Sequence, residues 1–199
     1  MKLVDVPEMD YYVASSRCGE VCIKGSIVFS GYYKDEERTR EVLDPDGWYH
    51  TGDIGRWNAN GTLTIVDRMK DIFKLSQGEY VVPGKVENVY LQNAAITQIF
   101  LYGDSLKSAV VAVVVPNPEL VDKRLTDKED ELKEWLLEEL AKTGRAGGLK
   151  SFEIIKAVEV WPKGWTIEDG LLTPTMKNKR FVLRKFFRRQ IEQMYEKLE

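Results

Sequence analysis

The sequence is poor in the residues that build metal and disulfide sites. Its 199 residues include two cysteines, Cys18 and Cys22, and a single histidine, His50. A four-ligand zinc site would need a carboxylate-rich set of ligands, which no spacing in the sequence suggests. The cysteines lie four residues apart on one face of a predicted strand, which is typical of reduced thiols in a cytosolic protein. We therefore expect no metal site.

Long hydrophobic runs and a strong charge of either sign are also missing. No stretch approaches the roughly 20 apolar residues of a membrane helix, and the longest apolar run, Ala109 to Val115, fits a buried strand. We expect no secretion signal at the start of the chain. A net charge of −3 gives no overall attraction to nucleic acid or anionic lipid. The composition, 43% hydrophobic and 31% charged, indicates an ordinary globular protein.

The first sixty-odd residues carry the pattern of β structure. Residues 19–24 alternate as in a strand, and the turn at 58–61 separates predicted strands at 54–57 and 62–66. A short polar helix is predicted over 35–43.

From Asp67 onward, helical and strand patterns alternate. Predicted helices cover 83–91, 128–142 and about 179–198, and predicted strands cover 96–102, 109–115 and 152–160. We predict an α+β fold with a boundary between residues 67 and 68. The change is abrupt and has no Gly/Ser linker, which favours a hinge at 67–70 over a flexible tether.

A candidate binding residue, Asp53, ends the segment Tyr49-His50-Thr51-Gly52-Asp53. The glycine allows close approach of a ligand, and a carboxylate can accept hydrogen bonds from both hydroxyls of a ribose. Turn statistics alone favour a turn-capping aspartate by about four to one. For His50, a structural role is favoured over a general base by about five to one, because no nucleophile neighbours it in the pattern.

A second candidate segment runs from Asp67 to Tyr80. Its cations precede the turn Ser76-Gln77-Gly78, whose free backbone amides could face a phosphate or a pantetheine amide. From charge alone, an exposed charged connector is an equally good interpretation.

The third candidate segment, Leu171 to Arg180, leads into the closing helix. Its Lys177 is a mobile point charge suited to negative charge developing on a carboxylate or an α-phosphate. A lysine before a helix is common, so this signal is weak in isolation. The closing helix has a basic side and an apolar side, which favours core packing over membrane or RNA binding by about four to one.

Taken together and in this order, the three segments resemble the adenylate-forming enzymes, and specifically the C-terminal portion of the long-chain fatty acyl-CoA synthetases. The resemblance covers essentially the whole chain, and its most long-chain-specific piece is Gly170 to Lys177. The other segments that carry it are 19–25, 31–34, 46–55, 67–80 and 149–153.

The resemblance implies that residues 1–67 are the β-rich end of a large adenylation domain and that 68–199 form a small, mobile α+β domain. Asp53 and Arg68 then bind the ribose of ATP and of the acyl-adenylate. Lys74 lies near the adenylate phosphate, and Lys70 is the hinge.

The same resemblance assigns the remaining site residues. Ser76, Gln77 and Gly78 line the CoA tunnel, and Tyr80 is an aromatic gate to the fatty-acid tunnel. Lys177 is the catalytic adenylation lysine and contacts the nucleotide, with Lys179 as the alternative if the loop is shifted. Thr175-Met176 stands where the family usually has Ser-Gly.

ATP with Mg²⁺, CoA and a fatty acid are the implied substrates, none of them held tightly by this chain. The family's phosphate loop and acyl tunnel have no counterpart in the 199 residues, so an upstream adenylation domain is the implied partner and the chain alone is expected to be inactive. We expect no nucleic-acid partner and a place on the cytoplasmic face, with the full enzyme peripheral to the endoplasmic reticulum or another organelle membrane. The alternative function is a non-catalytic regulatory or binding module derived from that enzyme.

Overall fold

A computed structural model describes residues 1–9, 11–121 and 128–199. The chain divides into two compact units, Met1–Ile72 and Phe73–Glu199. The division falls after residue 72, whereas the sequence pattern predicted a boundary after residue 67. The hinge at 67–70 stays a prediction.

Unit 1 is built on a four-stranded antiparallel sheet in the order β1-β2-β3-β4. Its strands are β1 Lys2–Val4, β2 Cys18–Ile23, β3 Tyr49–Trp57 and β4 Leu63–Arg68, and its helices are α1 Val13–Ser16 and α2 Glu36–Val42. Strand β3 starts five residues before the predicted Ile54, because Tyr49 and His50 also pair with β2. The polar helix α2 begins as predicted, with the Asp35 carboxylate accepting from the Arg38 N–H at 3.0 Å.

Unit 2 contains a two-stranded hairpin and a three-stranded sheet in the order β7-β8-β9. Strand β8 pairs antiparallel with β7 and parallel with β9. The strands are β5 Phe73–Lys74, β6 Tyr80–Val81, β7 Ile96–Tyr102, β8 Val111–Pro116 and β9 Ala157–Val160, and the helices are α3 Pro83–Tyr90, α4 Glu129–Ala146, α5 Arg180–Phe186 and α6 Arg188–Glu196.

Strand β8 is the centre of unit 2 and is buried on both faces. Ala112 and Val114 belong to the core on the side of α3 and α4. Val113 and Val115 belong to the second core, which is completed by Leu183 and Phe187 of the closing segment, residues 178–199. The continuous apolar run identified in the sequence is therefore a central strand covered by helices on both sides.

The predicted strand over 152–160 is wrong in its first half. Residues Ser151–Glu153 form a 3-10 turn instead, and the strand begins at Ala157. The backbone N–H of Ile155 donates to the Tyr90 hydroxyl at 3.1 Å, and the Glu153 carboxylate accepts from the N–H of Lys150 at 2.8 Å. These side chains accept hydrogen bonds from backbone N–H groups that would otherwise be available to pair with a neighbouring strand. The apolar alternation does not reveal this competition, so it predicted the start of the strand too early.

The closing helix, predicted as one element, is two helices separated at Phe187. The Phe187 side chain is fully buried and packs edge-on against Trp161 and Trp165, with ring centroids 5.1 and 5.6 Å away. Its backbone has φ −94° and ψ 16°, outside the helical region. A local periodicity that continues through residue 187 does not reveal this interruption.

Replacing Tyr90 with phenylalanine should lower the free energy of unfolding of the chain by about 1–3 kcal/mol, because the buried N–H of Ile155 loses its acceptor. The Tyr90 hydroxyl also donates to the Glu153 carbonyl at 3.3 Å. Urea unfolding of Tyr90→Phe measures the loss. Tyr33→Phe, at a residue that is 86% exposed, is the matched control and should change nothing.

The same substitution should alter the alkaline limb of the stability curve. Burial raises the pKa of Tyr90 from 10.0 to about 12. The folded state therefore holds the phenolic proton more tightly, so this contribution is complete below pH 10 and is lost between pH 10 and 12. Tyr90→Phe should show a smaller loss of stability across that interval, and an unchanged slope would contradict the burial of this hydroxyl.

Candidate functional site

Asp53 and Arg68, the two predicted ribose-binding residues, are cross-strand partners on β3 and β4. The Arg68 Nε lies 3.4 Å from the Asp53 Oδ1, and the side chains are 62% and 31% exposed respectively. The structure thus brings together two residues that lie fifteen positions apart in the sequence. Their ribose-binding role stays a prediction.

The Thr51-Gly52-Asp53 segment is held by hydrogen bonds to the neighbouring strand β2. The Thr51 hydroxyl donates to the Val21 carbonyl at 2.8 Å and accepts from the Asp53 N–H at 3.1 Å. The Gly52 N–H donates to the Glu20 carboxylate at 3.1 Å. Gly52 has φ 70°, in the left-handed region, at the place where the register between β2 and β3 shifts. The backbone therefore favours a glycine at this position.

His50 sits in a network of hydrogen-bonding side chains. Its Nδ1 is 2.7 Å from the Glu20 Oε2 and 3.4 Å from the Cys22 Sγ, and its Nε2 is 3.7 Å from the Asp44 Oδ2. Burial is the main reason that the pKa of the Cys22 thiol rises to about 11. The thiol is therefore protonated at neutral pH, and a protonated thiol is a poor nucleophile.

The sequence spacing did not reveal this cluster. Potential ligand atoms of Glu20, Cys22 and His50 all lie within 4.8 Å of one another. Pairing of β2 with β3 places Cys22 opposite His50, and residues 20 and 22 share one face of their strand. Proximity across a sheet depends on strand register, which the spacing along the chain does not contain.

Lys70, the predicted hinge residue, is exposed in the 3-10 turn Met69–Asp71, close to the end of unit 1. Extended residues flank this turn on both sides, with ψ 134° at Arg68 and 131° at Ile72. The turn is short, and no buried side chain within it opposes a change in its backbone angles.

Lys74 and Tyr80 are cross-strand partners in the β5–β6 hairpin. The Lys74 Nζ lies 4.9 Å from the centre of the Tyr80 ring, a cation–π contact. The structure thus places the predicted phosphate neighbour and the predicted acyl gate side by side, on strands joined by the Ser76-Gln77-Gly78 turn.

The expectation of free backbone amides in this turn needs correction. The Ser76 N–H donates to the Lys107 carbonyl at 3.0 Å, and the Gly78 N–H donates to the Leu75 carbonyl at 2.9 Å. The Gln77 side-chain amide donates to the Ser108 carbonyl at 3.0 Å. The bond from Gly78 closes the turn itself, and the bonds from Ser76 and Gln77 anchor the hairpin to the loop between β7 and β8. A role of the three residues in CoA binding stays a prediction.

Lys177 lies in a tight turn closed by Thr173. The Thr173 N–H donates to the Lys177 carbonyl at 2.8 Å, and the Lys177 N–H donates to the Thr173 hydroxyl at 3.0 Å. Met176 has φ 62°, in the left-handed region, a backbone conformation that a glycine adopts more readily than other residues. Lys177 is exposed, whereas Lys179 is half-buried and begins helix α5 as its N-cap residue.

Sequence reasoning missed an ion pair that holds the chain directly after this turn. Glu87, on α3, is a buried carboxylate that pairs with Arg180 at the start of α5, with an Nη1–Oε2 distance of 2.9 Å. The signal that could have revealed them is a glutamate next to Val86 on the buried side of a helix, because a charge in such a place requires a partner. The identity of that partner, 93 residues away, depends on the fold.

None of the helices in the described ranges has the length and apolar character to cross a membrane.

Comparison with known proteins identifies the class. Residues 85–164 match the family described as the AMP-binding enzyme C-terminal domain. Among solved structures, the adenylation domain of a carboxylic acid reductase from Segniliparus rugosus, in complex with AMP and a co-purified carboxylic acid, superposes with a TM-score of 0.90 at 38% identity, covering 100% of this chain and 31% of that one.

Curated relatives narrow the class further. The chain is 51% identical over 210 residues to long-chain-fatty-acid–CoA ligase 5 of Mus musculus, and 47% identical over 206 residues to ligase 6 of Rattus norvegicus. These matches cover 100% and 98% of this chain but only 31% and 29% of those proteins. The chain therefore corresponds over its length to the C-terminal portion of these long-chain-fatty-acid–CoA ligases, which confirms the resemblance seen in the motifs.

Replacing Gly52 with alanine should lower the free energy of unfolding by about 1 kcal/mol, because the left-handed backbone angle is strained for a residue with a Cβ. A Cβ at this position would meet nothing within 4 Å, so the cost arises from the backbone alone. Gly52→Asn is the matched control, since asparagine tolerates this region better than alanine. Urea unfolding should rank glycine above asparagine and asparagine above alanine, and equal losses for both variants would show that the backbone angle is not responsible.

Proposed function

We propose that the chain is the C-terminal part of a long-chain fatty acid:CoA ligase, which activates a fatty acid with ATP and transfers the acyl group to CoA. The observation that carries this proposal is the 51% identity to a curated ligase of this type across the full length of the chain. The ordered motifs and the exposed lysine turn agree with it.

In the first proposed step, a carboxylate oxygen of the fatty acid attacks the α-phosphate of MgATP. The bond between the α- and β-phosphates breaks, and pyrophosphate leaves with the electron pair. Negative charge rises on the oxygens around the α-phosphorus in the transition state. Lys177, exposed next to a left-handed residue at a tight turn, supplies the compensating cation in this proposal.

In the second proposed step, the thiol of CoA attacks the carbonyl carbon of the acyl-adenylate. A thioester bond forms, the thiol loses its proton, and AMP leaves with the oxygen of the former mixed anhydride. Asp53 and Arg68 hold the ribose through both steps in this proposal, because a carboxylate and a guanidinium offer an acceptor and donors for sugar hydroxyls. Lys74 lies near the phosphate.

Lys70 is proposed as the hinge between the two steps. The lysine that assists adenylation has no role in thioester formation. Rotation of the mobile domain about the hinge brings a different face of that domain to the active site in each step, so each half-reaction has the groups that it needs. Ser76, Gln77 and Gly78 then line the path of CoA, and Tyr80 borders the path of the acyl chain. An upstream adenylation domain is the proposed partner, and a peripheral membrane location of the full enzyme stays a prediction.

The isolated chain should not form palmitoyl-CoA from palmitate, MgATP and CoA, because the phosphate loop and the acyl tunnel of the family have no counterpart in its sequence. A radiolabelled thioester assay with purified chain tests this. The upstream portion of the mouse ligase, fused to residues 1–199, is the positive comparison. A folded fusion without activity would favour a non-catalytic module.

In that fusion, Lys177→Ala should reduce adenylation, measured as pyrophosphate exchange, by about 10²–10³-fold, since one charge-stabilising group of the transition state is lost. Thioester formation from supplied palmitoyl-adenylate should change little. Lys179→Ala is the control for register and should leave adenylation near the parent value. An effect at Lys179 and none at Lys177 would exchange the two assignments.

Lys70→Pro provides the reciprocal comparison. Proline fixes φ near −65° and stiffens the turn, so thioester formation should fall while adenylation persists.

For Lys177, two outcomes would overturn the proposed catalytic role. One is an equal loss of both half-reactions in Lys177→Ala, and the other is no loss in either half-reaction.

A further inference from the structure

The outer edge of strand β7 is the feature from which a further role can be inferred. Among the residues that the structure describes, in the order β7-β8-β9, strand β7 pairs with β8 on one side only. The backbone groups that point away from β8 need other partners, because an unpaired buried N–H or C=O is costly. In unit 2 these partners include side chains from the segment that carries Lys177 and a side chain from helix α3.

Side chains join residues 165–180 to this edge at successive positions. Gln98 and Trp165 exchange two hydrogen bonds of 2.9 Å between the glutamine amide and the tryptophan backbone. The Asn178 side-chain amide donates to the Ile99 carbonyl at 2.9 Å. The segment therefore follows β7 much as an extra strand would, with side chains in place of a backbone ladder.

Arg180 makes the next connection along the edge. Its Nη2 donates to the Leu101 carbonyl at 2.7 Å, and its Nη1 lies 2.9 Å from both oxygens of Glu87. The Glu87 carboxylate in turn accepts from the Leu101 N–H at 2.7 Å. The carboxylate and the guanidinium thus share the two outward backbone groups of one residue.

The main effect of the Glu87–Arg180 ion pair is to fix the position of the chain. Glu87 is only 7% exposed, and the Arg180 side chain is 17% exposed. A bidentate guanidinium–carboxylate contact fixes both distance and angle. A buried ion pair contributes little net stability compared with apolar packing, so its main physical effect here is to hold the start of α5 at a defined place on β7.

Asn178 is held from two sides. Its side-chain oxygen accepts from the Trp165 indole N–H at 3.0 Å, while its amide nitrogen donates to Ile99. Asn178 also forms an isolated bridge with Leu172 across the base of the lysine turn. Hydrogen bonds therefore hold Asn178 at the base of the turn, and the exposed Lys177 directly precedes it.

We propose that Asn178 and Arg180, the latter through Glu87, are positioning residues that set where Lys177 lies during adenylation. This inference rests on the proposed function of Lys177. A charge that stabilises a transition state loses much of its effect when displaced by about 1 Å. Residues that lock the base of its turn should therefore influence the rate of the first half-reaction without touching the substrate.

Two conservative substitutions in the fusion enzyme test the inference. Asn178→Asp keeps an acceptor for the Trp165 indole but removes the donor to Ile99. Arg180→Lys keeps the charge opposite Glu87 but cannot bond both Glu87 and Leu101 in the same fork geometry. Each should lower the rate of pyrophosphate exchange about 10–100-fold. Thioester formation from supplied palmitoyl-adenylate should stay within about twofold, because Lys177 does not assist that step.

Arg184→Lys is the matched control, because it is the same substitution on the exposed side of the same helix. It should leave both half-reactions unchanged. All rates are normalised to the folded fraction from urea unfolding, so a loss of folded protein is not read as a loss of positioning. Amide hydrogen exchange of the isolated chain should increase over residues 173–179 in Asn178→Asp and Arg180→Lys but not in Arg184→Lys.

The outcomes separate the two proposals. If Lys177→Ala retains adenylation, the proposed function of the lysine fails. If Lys177→Ala removes adenylation while Asn178→Asp and Arg180→Lys leave it intact, the positioning role alone is overturned. Equal decreases in both half-reactions after normalisation would also overturn it, since they indicate a general structural role.

Discussion

The open edge of strand β7 imposes the constraint on which much of unit 2 depends. Its outward backbone groups must find partners, and they find them in Glu87 from one helix and in Asn178 and Arg180 from the closing segment. Satisfying these groups fixes the path of the chain before α5. The turn that bears Lys177 is consequently attached to the sheet at its base, while the lysine itself remains exposed.

The layered core makes that attachment possible. Strand β8 is buried on both faces, so helices are needed on each side of the sheet. Leu183 and Phe187 anchor the closing segment in one core, and α3 packs in the other. Glu87 of α3 and Arg180 of the closing segment both reach the β7 edge. Their ion pair therefore links two elements that pack in different cores.

In both units a residue with a left-handed backbone conformation directly precedes a candidate site residue. In unit 1, Gly52 adopts a left-handed conformation directly before Asp53, and β2 holds the segment through Thr51 and Glu20. In unit 2, Met176 adopts a similar conformation directly before Lys177. In each case a residue in the left-handed region directly precedes the charged side chain, a conformation that costs energy for residues with a Cβ and that the surrounding hydrogen bonds must support.

Local patterns in the sequence predicted most of the main elements and the family resemblance. The bounds of β7 agree with its apolar pattern, Pro83 marks the start of α3, and the order of the motifs by itself indicated the long-chain acyl-CoA synthetases. Only the tertiary structure decided the turn at 151–153, the interruption at Phe187, the cluster around His50 and the pairing of Glu87 with Arg180. Each of these depends on contacts between residues far apart in the chain, such as the Tyr90 hydroxyl with Ile155. Periodicity reports which way a side chain faces within its own element, whereas such contacts are set by strand register and by the packing of one element on another.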